Sequence, residues 1–441
     1  MSVLLAASAI VLSGAGLVAA LAPPSCGGAL RVAMAAALGL GTWSATYAAA
    51  LLLFGPQGLA AKDLLLAIAG AALLIASRRR DVGMPPEADA VPHWLWALLA
   101  LSCAVATILF VEHTLRFPDG GWDAWMVWNL RARFLARAGA GFRAAFSPDL
   151  LYLAHQDYPF LLPGLVAQGF LLRGAEAAWI PVSLAWLYGA LAVALLVSSL
   201  GWLRGGSWGV LGGLSLAAMP CFPTFASNQQ SDVPLAVYLL ISMALIAGPR
   251  SRPALLLAGF SAGLGMWTKN EGALFAACLA AALAWRDRDL RAVGWFALGA
   301  LPLATLLVGF KLGVAPPTDL AALSTPQGVL AHALSLRRWA ELLLLTLRRI
   351  VYFQDFGLWS MAEVLLLLFW VRKQPATVPG TALFLACLAF GPIYVLQPHR
   401  LDWIYRTSAD RIFIQLWPSA VLATLLHLAR ATDRARTTAR T

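Results

Sequence analysis

Long apolar runs separated by short polar breaks dominate the chain. They lie near 2–22, 29–54, 60–77, 92–112, 178–200, 207–223, 233–248, 253–268, 272–285, 292–312, 357–371, 378–397 and 412–429. The runs are rich in Leu and Ala and do not alternate apolar with polar, so they predict helices and not strands. Backbone groups in hydrocarbon must bond to one another, which leaves helices or closed barrels. The pattern therefore predicts an all-α polytopic membrane protein with about 12–14 transmembrane helices, each needing roughly 20 apolar residues. The run 2–22 has no charged leading segment and reads as a first helix, not a cleaved signal. The run 159–172 is only about half of a comfortable span. It reads as re-entrant, or as a short helix packed beneath the loop that precedes it.

Basic residues orient this array. Arg78, Arg79 and Arg80 end the third run and mark a cytoplasmic boundary. The run 92–112 then goes outward and the loop 113–158 lies outside, which in a bacterium is the periplasm. With 159–172 non-spanning, Arg204, Arg250, Arg252, the 286–291 arginines, Arg372, Lys373 and the tail all fall inside. The same choice places 226–232, the hairpin tip 268–272, the region 313–356 and the segment 398–411 on the outer side. The expected divisions are 1–91, three additional helices and a cytoplasmic linker; 92–430, the catalytic membrane domain; and 431–441, a basic tail. The expected location is a bacterial inner membrane with the site facing the periplasm.

Composition agrees. Hydrophobic residues make up 60% of the 441 and charged residues 12%, against roughly 25% charged in soluble domains. The net charge of +11 comes from arginines in short loops, so it reads as membrane orientation and not as a nucleic-acid surface. Five scattered cysteines with no metal-ligand spacing argue against a disulfide framework.

The longest polar passage is 117–158, and its acids include Asp119, Asp123 and Asp157. Ionisable groups at membrane depth are costly and point to function. The topology gathers Asp123, Asp157, Asp232, Lys269, Glu271, Arg406 and Arg411 on one face. That set suits a phosphorylated lipid headgroup held by cations, with a carboxylate to activate a nucleophile. Asp123 is the candidate base, although an acid opening a helix also serves as an N-cap. Asp119 is a rival base, although PDGG also reads as a turn. Asn129 and Arg133, four apart, share a helical face. Trp122, Trp125 and Trp128 form either an interfacial belt or a sugar-stacking platform. Asp157 and Tyr158 stand before a proline that breaks the chain. Asp232 is a ligand or, with Ser231, an N-cap. Lys269 and Glu271 snorkel as a pair or hold a buried anion.

The order of these features resembles the GT-C superfamily of membrane glycosyltransferases. It is most similar to the branch of protein O-mannosyltransferases and lipid A aminoarabinose transferases. The residues that carry the resemblance are an external loop with an early acid, SDVPLAVYLL, AGLGMWTKNEGALF and a late loop ending DRIFIQLWP. The resemblance covers roughly 92–430 and implies external loop helices. It departs at Asp123-Ala124, where the family often has Asp-Glu, and at DYPFLLP, where a proline pair or a basic residue is usual. It implies inverting transfer of a hexosyl or pentosyl group from a polyprenyl-phosphate-linked sugar to a glycan, lipid or protein acceptor. Asp123 would be the base, Asp232 the second-loop acid, and Lys269 and Arg411 the phosphate contacts. The resemblance requires no cofactor, and grouped acids leave a divalent metal open. A transporter or flippase of a lipid-linked sugar is the alternative. Transporters place polar groups near the midplane of inverted repeats, whereas here they collect on one face and no repeat is visible.

Overall fold

The computed structural model describes residues 2–78, 90–150, 155–352 and 377–438. The expected run 357–371, Arg372, Lys373 and most of the linker after Arg78 lie outside them. Helices and connecting turns make up the described residues, with no strand among them. The first three helices are α1 (Val3–Leu21), α2 (Gly28–Phe54) and α3 (Leu59–Ser77). The next helix is α4 (His93–Arg116). A loop then carries one π-helical turn (Ala124–Trp128) and α5 (Asn129–Arg137). There follow α6 (Leu161–Arg173), α7 (Trp179–Arg204), α8 (Gly206–Ala217), α9 (Phe222–Ser227), α10 (Asp232–Ala247) and α11 (Arg252–Thr268). The chain continues through α12 (Asn270–Asp287), α13 (Leu290–Gly313), α14 (Asp319–Leu323), α15 (Pro326–Ala333), α16 (Leu336–Tyr352), α17 (Val378–Leu396) and α18 (Leu401–Thr438).

Seven helices among the described residues are long and apolar enough to cross a membrane. The expected 12–14 also counted shorter and more interrupted runs. The run 159–172, expected not to span, forms α6, which has 13 residues and is about 20 Å long at 1.5 Å per residue. It is buried along most of its length, and the left-handed Gly174 ends it.

The bundle has two chemically distinct ends. At one end Trp202 donates to Ser25 Oγ at 3.3 Å, Arg250 pairs with Asp287, and Arg286 donates to Thr381 at 2.8 Å. These are the loops that the charge pattern groups together as cytoplasmic. The other end holds Asp123, Asp157, Asp232, Lys269 and Arg411. Helix α11 connects the two, with Arg252 at one terminus and Thr268 at the other, about 25 Å apart.

One correction and one refinement of the expected elements matter for the site. The segment 398–411 is not a loop ahead of a last helix. From Leu401 onward it is helical and continuous with that helix through Pro418, 38 residues in all. The α11–α12 hairpin turns on one extended residue, Lys269, with φ −158° and ψ 154°. Gly272 makes this break possible: a Cβ there would sit 2.1 Å from the carbonyl oxygen of Gly265. Only a residue with no side chain lets the two helix ends close on one another.

An aromatic cluster supports that break. Phe160, Trp267 and Phe310 are fully buried. Their ring centroids lie 5.0 Å (Phe160–Trp267), 5.6 Å (Phe160–Phe310) and 5.7 Å (Trp267–Phe310) apart in edge-on contact. Each such pair contributes about 0.5–1.5 kcal/mol beyond its burial. The neighbouring residues Tyr158, Lys269 and Lys311 are thereby fixed in space by three rigid rings.

Candidate active site

Asp232 is the centre of the charged end. It is 1% exposed, and an isolated carboxylate there would be costly unless paired and hydrogen-bonded. Lys269 Nζ lies 3.0 Å from its Oδ1, Arg411 Nε lies 2.9 Å from its Oδ2, and Gln415 Nε2 donates to Oδ1. Arg411 and Gln415 are four apart on α18, so one helical face delivers both. Neither the side chain of Asp232 nor that of Ser231 caps α10. The capping alternative for Asp232 therefore gives way to ion pairing across three helices.

Asp123 joins the same network. Its carboxylate pairs with Arg411 Nη1 and makes no cap hydrogen bond to the π turn it precedes. A single π turn inside a helical segment often marks a functional position. The tight turn before it is set by Gly120, at φ +79°, where a Cβ would meet the carbonyl oxygen of Asn228 at 2.6 Å. Glu271 completes the set, its Oε1 2.7 Å from Lys269 Nζ. Two cations thus lie among three carboxylates.

Asp157 and Tyr158 form the adjoining wall. Asn270 donates to Asp157 Oδ2 at 2.7 Å, and Lys311 Nζ lies 3.1 Å from the same oxygen. The Lys269 ammonium sits 5.6 Å from the centroid of the Tyr158 ring, a cation–π contact. Trp128 stacks on the same ring, with centroids 5.8 Å apart. Burial, reinforced by the carboxylates of Glu271, Asp157 and Asp232, pushes the Tyr158 phenol well above its ordinary range. It is therefore a neutral hydrogen-bond donor at any working pH. Arg131, itself buried, ties this wall down by donating to the carbonyls of Tyr158 at 3.0 Å and His155 at 2.6 Å. Burial pushes its guanidinium down to about 10, against the pull of Asp157 and Tyr158, so it stays charged at neutral pH.

Not every expected residue joins. Asn129 donates to Gln229 Oε1 at 2.9 Å. Arg133 faces Glu176 at 3.4 Å and Asp119 at 3.5 Å. These residues line a separate polar pocket of about 260 Å³. Asp119 is among them, away from Arg411. Arg406 is exposed and outside the network. Helical geometry explains this: five residues before Arg411, it points well round the helix from it. The tryptophans divide, with Trp122 and Trp125 exposed and Trp128 buried. Gln415, Lys311, Asn270 and Arg131 are additional members that sequence reasoning did not single out. Lys311 carried the same signal as Lys269, a cation at the end of an apolar run. Among the described residues, no three acids, histidines or cysteines are grouped to hold a metal ion.

Residues 157–309 match the family model for dolichyl-phosphate-mannose-protein mannosyltransferase. This match supports a GT-C superfamily glycosyltransferase. It also supports a membrane enzyme that uses a polyprenyl-phosphate-sugar donor. The matched stretch contains Asp157, Asp232, Lys269 and Glu271, whereas Asp123 and Arg411 reach the site from outside it. No curated protein and no solved structure matches the chain.

Proposed function

We propose that this protein is an inverting glycosyltransferase that moves a sugar from a polyprenyl-phosphate carrier to an acceptor at the periplasmic face of a bacterial inner membrane. The observation that carries the reading is the continuous network Asp123–Arg411–Asp232–Lys269–Glu271 at one end of an apolar bundle. Asp123 takes the proton of an acceptor hydroxyl or amine. The acceptor attacks the anomeric carbon from the face opposite the carrier, and the bond from that carbon to the phosphate oxygen breaks. Polyprenyl phosphate leaves with the electron pair. Lys269 and Arg411 are held in place by Asp232 before the reaction begins, so they stabilise that charge without reorganising. The donor phosphate competes with Asp123 for Arg411, which frees the carboxylate to act as base when donor is bound. Tyr158, as a neutral phenol, offers a hydrogen bond to the sugar or the phosphate.

Asp123→Asn tests the assignment. It should insert and fold as the parent does while transfer falls by at least about 10²-fold, the usual contribution of a positioned base. Mass spectrometry of envelope glycans and lipids, with wild type and variant expressed at equal levels, measures this. Products undiminished in the variant would sink the role of Asp123, and profiles identical with and without the protein would sink the transferase reading.

A further inference from the structure

The polar pocket that holds Asn129 and Arg133 contains a buried acceptor with no donor. Asn129 is 3% exposed, and the neighbouring carbonyls fix which way its amide points. Gln229, also buried, donates from Nε2 to the Pro118 carbonyl at 2.9 Å. Its Oε1 therefore turns to Asn129 and accepts from Nδ2 at 2.9 Å. The same Nδ2 donates to the Asp119 carbonyl at 3.4 Å. Two oxygen acceptors take both amide hydrogens, so the Asn129 amide cannot be reversed. Its Oδ1 is buried and makes no hydrogen bond among the described residues. Buried polar atoms in folded proteins are nearly always paired, and an exception asks for a reason. Asn129 lines a pocket of about 260 Å³, which supplies one: a ligand that brings a donor.

The rest of the lining says which ligand. Arg133 stands one turn beyond Asn129 on the same face of α5. It reaches Glu176 only at 3.4 Å and Asp119 only at 3.5 Å, longer than a good hydrogen bond, so it can trade either for a ligand oxygen. Arg137 donates to Glu176 at 2.8 Å. Two carboxylates are thus matched by two guanidiniums, and the pocket favours neither a phosphate nor an ammonium group. Phe170 and Pro181, both buried, supply an apolar wall. Acceptors, donors and an apolar face side by side suit a ring that carries hydroxyls on its edge and C–H groups on its faces. The volume falls just below the range of about 300–1,000 Å³ for small-molecule sites, which leaves room for one sugar ring and too little for a lipid chain.

We infer that this pocket is an acceptor subsite and that the acceptor is an uncharged carbohydrate. One hydroxyl donates to Asn129 Oδ1, and others meet Asp119, Glu176 and Arg133. The inference rests on the transferase reading and names its acceptor class. The place of the pocket in the chain fits that role. Asp119 precedes the proposed base Asp123 by four residues, and Asn129 follows it by six, about 9 Å at 1.5 Å per residue. The ring in the pocket is therefore a neighbour of the sugar that reacts, and Asp123 meets a hydroxyl one unit away. The Asn129–Gln229 hydrogen bond also ties the pocket to the loop that leads into Asp232, so the acceptor pocket and the cations for the donor phosphate share one polar bridge.

The test uses the full chain in lipid nanodiscs, because maltoside detergents are themselves sugars. Saturation-transfer NMR reads the binding of lactose, maltose and methyl α-mannoside, with ethanolamine and glycerol 3-phosphate as charged probes. Wild type should bind at least one of the sugars. Asn129→Leu removes the acceptor, and Ala178→Leu fills the pocket from its exposed rim while leaving the polar groups in place. Each should weaken that binding by at least about tenfold. Ala178→Leu keeps the test decisive should Asn129→Leu fail to fold. No sugar bound by wild type, or equal binding in a folded variant, overturns the proposal. So does a charged probe that binds wild type better than the sugars do and is lost in Ala178→Leu. Failure of the transferase reading looks different: sugar binding holds, but envelope profiles are identical with and without the protein, and the acceptor role falls with that reading.

Discussion

At the scale of single residues, the site is governed by the cost of burying charge. Asp232 tolerates burial because Lys269, Arg411 and Gln415 all face it. Removing one partner of such a set leaves an uncompensated charge, at about 3–5 kcal/mol. Asp232→Ala should therefore lower stability in detergent by that order, measured by thermal unfolding, as well as stopping transfer. Arg411→Lys tests a different property. A lysine keeps the charge but cannot reach two carboxylates with a planar fork. The expected outcome is a folded protein with transfer reduced by at least about tenfold, read by the same envelope mass spectrometry. Full activity in Arg411→Lys would show that charge alone suffices. Asp123 and Asp232 stood out in the sequence as ionisable groups opening apolar helices. Arg411 was also a candidate, but its pairing with both acids was not legible, because contacts across 179 and 288 positions leave no local trace.

At the scale of elements, breaks and continuities place these side chains. The hairpin tip at 268–272 was legible as a polar interruption in an apolar run, and the structure puts the break at Lys269. Its glycine was not legible as essential, since many glycines punctuate these helices. Gly272→Ala should cost about 1–3 kcal/mol by forcing the ends of α11 and α12 apart. The control is Gly309→Ala in α13, where a Cβ meets nothing. It should stabilise by about 0.5–1 kcal/mol through helix propensity. Thermal unfolding of both variants checks the opposite signs. Helix α18 shows the converse failure. The polar composition of 398–411 suggested a loop, but the segment is helical. Arg338 on α16 donates to the carbonyl of Gln397 at 2.9 Å, Arg349 pairs with Asp410, and Tyr394 on α17 bonds Ser408 at 2.9 Å. Contacts with neighbouring helices outweigh a weak local preference. That continuity turns Arg406 away from the site and points Arg411 into it.

At the scale of the molecule, the bundle separates two chemistries. One end gathers the basic connecting loops and the other the ion network. In a variant with its native cysteines replaced, cysteines introduced at 228 and 403 should react with a membrane-impermeant thiol reagent added outside. A cysteine at 250 should not. Reaction at 250 would mean that the short run at 159–172 crosses the membrane.

The sequence by itself determined the class of molecule, a helical membrane bundle with its basic connecting loops at one level and Asp123, Asp232, Lys269 and Arg411 at another. Hydropathy and charge bias act locally and can be read one segment at a time. It also exposed Asp123, Asp232 and Lys269, because a charge beside an apolar run stands out wherever it occurs. Only the tertiary structure decided which charges meet. It put Asp123 on Arg411 and not on its own helix terminus, added Gln415 and Lys311, and moved Asn129, Arg133 and Arg406 out of the network. Those choices depend on helix rotation and on how closely backbones approach, as at Gly272 and Gly120. Both are set by packing between segments far apart in the chain.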